Sequence, residues 1–158
     1  MENREIERKW LVKDIPTELE KYECHFIEQA YLHSSPTVRV RRDNDNFYLT
    51  YKGSKNWKGE SEISHTEYNL PLDEEAYEHL ADKRDGRLIT KKRYIIPIEN
   101  GLNIELDVFE GDLAPLVVAE VEFESEEEAM AFTAPEWFGE DVSRDYRYKN
   151  AYMATRDI

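Results

Sequence analysis

The sequence predicts an α+β, mainly β fold: an antiparallel sheet that closes, or nearly closes, into a barrel, with a few short flanking helices. Three observations carry this. Period-two alternation recurs along most of the chain, as in Phe47, Leu49 and Tyr51 against Tyr48, Thr50 and Lys52. Short turn-forming connections join these stretches, among them Ser34-Ser35-Pro36 and Glu99-Asn100-Gly101. Charges also fall at every second position, and that spacing places them on one face of a strand.

The elements follow in order. Residues 3–12 read as the first strand, with Glu5, Glu7 and Lys9 sharing a face. Residues 26–33 and 37–42 read as the next two, and 46–52 as a half-buried fourth. Residues 61–70 form a strand closed by Pro71. Asp73 caps a short helix through about Asp82, with Glu74 and Glu75 in its first turn matching the helix dipole. Residues 87–98 and 102–109 are a strand pair, and 116–124 another strand. Ser125 and Glu128 suit a capping box that opens a helix to about Thr133. A last short helix spans Asn150 to Thr155.

The chain has 158 residues, the length of one domain, and no internal linker or repeat divides it. Its apolar content of 40% suffices for a core, whereas no apolar run is long enough to span a membrane. The opening residues Met-Glu-Asn-Arg-Glu are not an apolar signal, and the single Cys24 allows no intrachain disulfide, so a cytoplasmic protein is expected. A net charge of −14 argues against nucleic acid and anionic membrane as partners. A homodimer is left open. The sign is uneven, however: Arg39, Arg41, Arg42 and Lys91, Lys92, Arg93 form basic clusters that can hold an anion.

Two arrangements fit the alternating strands. In one, the apolar sets (Val38 and Val40; Ile104, Leu106 and Val108; Ala119, Val121 and Phe123) fill the barrel, and the charges are solvated. For any single strand this is the ordinary solution. In the other, charges line a polar lumen and helices cover the apolar faces. Same-sign pairing favours the lumen: Arg39 with Arg41, Lys91 with Arg93, Glu5 with Glu7, Glu105 with Asp107, and Glu120 with Glu122. Like-charged neighbours repel, so an external ligand has to neutralise them. Arginine pairs suit phosphate, and acid pairs suit a hard divalent cation. A polyphosphate carrying Mg²⁺ or Mn²⁺ meets both demands.

The stretch Glu5-Ile6-Glu7-Arg8-Lys9 resembles the ExExK signature of the CYTH domain, the triphosphate tunnel metalloenzyme family. The resemblance continues through Pro36-Thr37-Val38-Arg39-Val40-Arg41, Leu49-Thr50-Tyr51-Lys52-Gly53 and Glu67-Tyr68-Asn69-Leu70-Pro71. Further along it takes in Lys91-Lys92-Arg93-Tyr94, Ile104-Glu105-Leu106-Asp107, Ala119-Glu120-Val121-Glu122-Phe123 and Asp145-Tyr146-Arg147-Tyr148-Lys149-Asn150. It implies one CYTH domain over residues 1–158, folded as an eight-stranded antiparallel closed tunnel with a charged interior.

On the same resemblance, Glu5, Glu7, Glu120 and Glu122 look like metal ligands, the later pair facing the earlier across the tunnel. Lys9, Arg39, Arg41, Lys52, Lys91 and Arg93, joined by Arg147, look like a phosphate clamp. Glu5, Glu7, Lys9, Glu105, Asp107 and Glu122 are the catalytic candidates, with Glu105, Asp107 or Glu122 orienting water. Where the family often carries an arginine, two residues before Glu67, this chain has His65, and Lys55 or Lys58 are its candidate substitutes. Trp10, Trp57 and Trp137 read as packing residues, with covering a tunnel mouth the alternative for Trp57 in the Gly53–Ile63 loop. The implied activity is metal-dependent hydrolysis of a small-molecule triphosphate, foremost inorganic tripolyphosphate to pyrophosphate and phosphate. The alternatives are a class IV-type adenylyl cyclase, a thiamine triphosphatase and a non-catalytic polyphosphate-binding module.

Overall fold

A computed structural model of the protein describes residues 4–53 and 64–155. Within them lie β1 (Arg4–Val12), β2 (Glu23–Ser34), β3 (Thr37–Asp43), β4 (Asn46–Lys52), β5 (Ser64–Leu72) and β6 (Asp85–Pro97). They are followed by β7 (Asn103–Phe109), β8 (Val117–Phe123) and β9 (Phe138–Asp141). The helices are α1 (Glu74–Ala81), α2 (Glu126–Ala131) and α3 (Asn150–Thr155). The strands form one antiparallel sheet in the order β5-β4-β3-β2-β6-β7-β8-β1-β9.

β1 also pairs with β5, through Arg4↔Thr66, Glu5↔His65 and Ile6↔Ser64. That pairing brings eight strands round on themselves. The seam is short because β9 takes the other half of the same β1 edge, at Trp10 and Val12. The ninth strand departs from the expected eight. So does β5, which runs through Pro71 to Leu72. Pro71 lies beyond the three-residue seam, on an edge where a missing N–H breaks no ladder. The expected strand starts at residues 3 and 61–63, together with Lys55, Trp57 and Lys58, lie outside the described residues.

The sheet turns its apolar faces outward and covers them. Trp10, Ile104, Leu106, Val121 and Phe123 pack with Ala129 of α2 and Phe138 of β9. Ala30 and Val40 pack with Tyr77 and Ala81 of α1, flanked by Phe47, Leu49 and Leu72. A third cluster stands at one end of the barrel, where Tyr31, Ile89, Phe109 and Val118 meet Met153 and Ala154 of α3. Elsewhere the inward positions among the described residues are mostly charged or polar, with Ile95 an apolar exception, so the second of the two sequence-level arrangements is the one adopted.

The helix caps follow the sequence. The Asp73 carboxylate accepts from Ala76 N at 2.7 Å. Ser125 Oγ accepts from Glu128 N at 3.0 Å, while Glu128 Oε1 reaches back to Glu124 N rather than to the cap residue itself. Arg8, on the outer face of β1, donates to the Ala129 and Phe132 carbonyls at the end of α2 and pairs with Asp141 at 2.7 Å. It thereby ties α2 and β9 to the same strand.

α3 seats against β6 at Gly86. That glycine has φ +72°, and a Cβ there would lie 2.0 Å from the Ala154 carbonyl oxygen. Gly86→Ala is therefore expected to destabilise the fold by more than about 1 kcal/mol, since strain and a backbone clash add. The check is the urea unfolding midpoint, and a midpoint equal to that of wild type would count against this docking.

Candidate active site

Period two decides what reaches the lumen. β1 turns Glu5, Glu7 and Lys9 inward, β3 turns Arg39 and Arg41, and β4 turns Lys52. β6 adds Arg93, β7 adds Glu105, and β8 adds Glu120. These side chains line a cavity of about 350 Å³, whose mouth is bordered by Ser34, Thr37, Ser143, Tyr146, Asn150 and Tyr152. A second cavity of about 210 Å³ shares Glu5, Arg39, Arg41, Arg93 and Glu105 with the first. It opens on the opposite side past Asp43, Glu67, Asn69 and Glu122. The two are the halves of one charged passage.

One layer of the lumen is built around Asp107. This carboxylate is fully enclosed, accepts from Arg93 Nε at 2.7 Å and from Nη2 at 2.9 Å, and pairs with Lys91 Nζ at 2.7 Å. Burial alone would raise its pKa, but Arg93 and Lys91 more than offset that and hold it low. Lys91 is equally enclosed, and burial pushes its pKa well below the ordinary lysine value. Neither residue borders the cavity. Lys91, expected in the clamp, and Asp107, expected to orient water, are each enclosed as the other's counterion. The Arg147 side chain is 63% exposed and pairs with Asp145 at 2.6 Å.

The acids on β1 and β8 are neighbours, not partners facing across the tunnel, because these two strands are hydrogen-bonded to each other. Glu7 stands opposite Glu122, and Lys9 opposite Glu120. The proposed metal set is divided accordingly. Glu120 pairs with Lys9 at 3.6 Å, and Lys9 Nζ also donates to the Tyr148 carbonyl at 2.9 Å. Lys52 lies between Glu5 and Glu7, in contact with Glu5 and 3.3 Å from Glu7. Burial opposes its charge, but these two acids more than offset it and its pKa is raised. Glu105 lies 3.4 Å from Arg93 Nη1, and burial raises its pKa.

Among the described residues no three His, Cys, Asp or Glu side chains converge as a ready-made metal cage. The donor chemistry nevertheless suits a hard divalent cation. Burial raises Glu122 to about 7, assisted by Glu5, Glu105, Glu7 and Glu67. Glu67 Oε2 is itself buried without a hydrogen-bond partner among the described residues. A cluster of carboxylates that includes a buried, unpartnered oxygen fits a hard, oxygen-ligated divalent cation better than a thiophilic metal.

Arg39 and Arg41 differ from the other inward cations. Both are buried, yet their hydrogen-bond partners are neutral: the Tyr31 hydroxyl for Arg39, and Gln29 Oε1 and the Tyr48 hydroxyl for Arg41. Arg39 Nε has no partner among the described residues. Sequence reading gave no role to Glu67, Gln29 or Tyr31. A signal was present, since Gln29 and Tyr31 alternate with Ile27 on one face of β2 while Glu67 stands opposite Lys52. The backbone of His65 lies in the seam, and its side chain falls outside what is described.

His25 borders the second opening, with Nδ1 2.6 Å from Asp43 and Nε2 against Glu23. Hydrogen bonding to Glu23, then to Asp43, raises its pKa above 6.5. Its stabilising contribution is complete below pH 6.5 and disappears as pH rises through the folded-state pKa. In His25→Gln that loss of stability on raising pH should be absent, as read by unfolding midpoints between about pH 5 and 9. Asp107→Asn, which strands two buried cations, should cost about 3–5 kcal/mol in chemical denaturation. A variant as stable as wild type would remove Asp107 from its structural role.

Comparison with known proteins gives concordant results. The CYTH domain family model matches residues 3–156. An inorganic triphosphatase of Nitrosomonas europaea is 40% identical over 156 residues, covering 95% of this chain and 96% of its own. One from Acetivibrio thermocellus is 36% identical, with coverages of 95% and 92%. A crystal structure of the inorganic triphosphatase NE1496 superposes with a TM-score of 0.69 at 36% identity, covering 97% of this chain and 95% of that one.

Proposed function

The chain belongs to the CYTH domain family, and on that premise we propose that it hydrolyses inorganic tripolyphosphate to pyrophosphate and phosphate within the charged passage. One observation carries the reading. Two buried arginines, each hydrogen-bonded only to neutral groups among the described residues, stand beside a group of carboxylates that raise one another's proton affinity. A chain of phosphates with a divalent cation supplies both missing charges.

Arg39 and Arg41 grip the phosphate chain, and their planar donor forks hold its oxygens in a fixed geometry. Lys9, Lys52 and Arg93 add positive charge along the same wall, where exclusion of water strengthens each contact. Glu5, Glu7 and Glu122, with Glu120 nearby, would hold Mg²⁺ or Mn²⁺, and the cation would supply positive charge to the phosphate oxygens.

Lys52 then moves from neutralising Glu5 and Glu7 to contacting phosphate. Glu105 is the acid to orient the attacking water. It borders the cavity, has a raised pKa and, unlike Asp107, is not enclosed by two cations. The water oxygen bonds to the terminal phosphorus as the bridging P–O bond breaks. Its proton passes to Glu105, and the electron pair leaves on pyrophosphate, next to the clamp cations.

The testing experiment measures phosphate release from tripolyphosphate, ATP and thiamine triphosphate with Mg²⁺, Mn²⁺ and a chelator. Fastest release from tripolyphosphate, abolished by the chelator, is expected. Glu7→Ala should lower kcat by a hundredfold or more, on the order of 3 kcal/mol, with the melting temperature preserved. Full activity in that variant would sink the metal assignment. Arg41→Ala should raise KM for tripolyphosphate about tenfold or more, through loss of a charged contact of about 1.5–3 kcal/mol. An unchanged dependence of rate on tripolyphosphate concentration would remove Arg41 from the clamp.

A further inference from the structure

Gln29 lies on the inner face of β2, directly opposite Arg41 of β3, and its side chain is fully buried. Gln29 Oε1 accepts from Arg41 Nε at 2.9 Å and from Nη2 at 2.6 Å. A two-pronged grip of this kind is ordinarily made by a carboxylate.

For stability alone, glutamine is the poorer choice. Its carbonyl oxygen takes both bonds, so its Nε2 faces away and is buried with no hydrogen-bond partner among the described residues. A glutamate of the same shape would make a charge-assisted grip and leave no donor over. The surrounding cations follow the carboxylate solution: Lys9 pairs with Glu120, Lys52 with Glu5 and Glu7, and Lys91 and Arg93 with Asp107. At Arg41 a neutral amide stands instead. Arg39, two residues away in β3, has a neutral partner too, the Tyr31 hydroxyl at a long 3.4 Å.

We propose that Gln29 is a positioning residue that sets the affinity of this site for the triphosphate chain. It holds the Arg41 guanidinium in one orientation while leaving its positive charge whole for an incoming phosphate. A carboxylate there would hold Arg41 equally well and cancel the charge. The unpartnered amide is thus a cost in stability that preserves anion affinity. The inference rests on the reading of the passage as a triphosphate site.

The test compares wild type, Gln29→Glu and Gln29→Met in three measurements. These are steady-state phosphate release from tripolyphosphate with Mg²⁺, calorimetric binding of tripolyphosphate without metal, and melting temperature. Gln29→Glu is expected to raise KM and weaken metal-free binding at least tenfold, about 1.4 kcal/mol, with kcat changed much less. Its melting temperature should be no lower than that of wild type, because the new carboxylate pairs with Arg41.

A purely structural role makes the opposite forecast, with Gln29→Glu neutral in both KM and binding. That result overturns the proposal. If Gln29→Glu does not fold, Gln29→Met decides: weakened binding supports the positioning role, and wild-type binding refutes it. Wild type that binds tripolyphosphate without hydrolysing it would defeat the proposed activity and still leave the Gln29 effect measurable. An active wild type with an unaffected Gln29→Glu defeats the Gln29 role alone.

Discussion

Asp107 sits fully enclosed between Lys91 and Arg93, and the charged interior of the sheet is organised around that pairing. Taking these charges out of water costs several kcal/mol per ion, which only close pairing offsets. β6 and β7 are adjacent, so Arg93 and Asp107 stand opposite each other in the ladder. The antiparallel register is thus what makes the polar core tolerable. The same register places Lys9 beside Glu120 and Lys52 beside Glu67. Arg93 is both the bidentate partner of Asp107 and a wall of the cavity, and so carries order from the enclosed layer into the site.

Charges in the passage fall into two groups with different physical roles. Those compensated by a neighbour hold the walls together. Others are balanced less closely: Arg39 and Arg41 have neutral hydrogen-bond partners on β2 and β4, and Glu122 stands among carboxylates that raise its pKa. The outward apolar faces under α1, α2 and β9 supply the compensating stabilisation. α3 and the segment before it close one end: the Tyr148 carbonyl holds Lys9, and Met153 with Ala154 completes an apolar plug. The passage is therefore asymmetric, with an apolar cluster under α3 beyond one mouth and charges of both signs at the other.

Much of this was legible along the chain. Alternation located the strands to within a few residues, and the Asp73 and Ser125 caps sat where their side chains demanded. Same-sign pairing at every second position identified Glu5, Glu7, Arg39, Arg41 and Glu105 as inward-facing residues. Lys91 and Asp107 carried that same signature and yet lie behind the cavity wall. Period two reports which face a residue is on, not how deep along the barrel it sits or whether a neighbour encloses it. Arg147 stands in a single 3₁₀ turn where no strand period applies, so only the family resemblance pointed to it. β9 is four residues long and has too little alternation to be read.

By itself the sequence determined the antiparallel β character, the two-faced strands and the chemistry of the lumen. Each is a property of residue type and spacing along one chain. Tertiary structure alone decided which charges neutralise one another and which remain free. β8 lies against β1 rather than across from it, so Glu120 and Glu122 become neighbours of Lys9 and Glu7. β2 lies against β3, so an unremarkable glutamine becomes the holder of Arg41. Ionic pairing acts over a few ångströms and depends on strand adjacency. Adjacency is set by closure of the whole sheet, not by any local pattern.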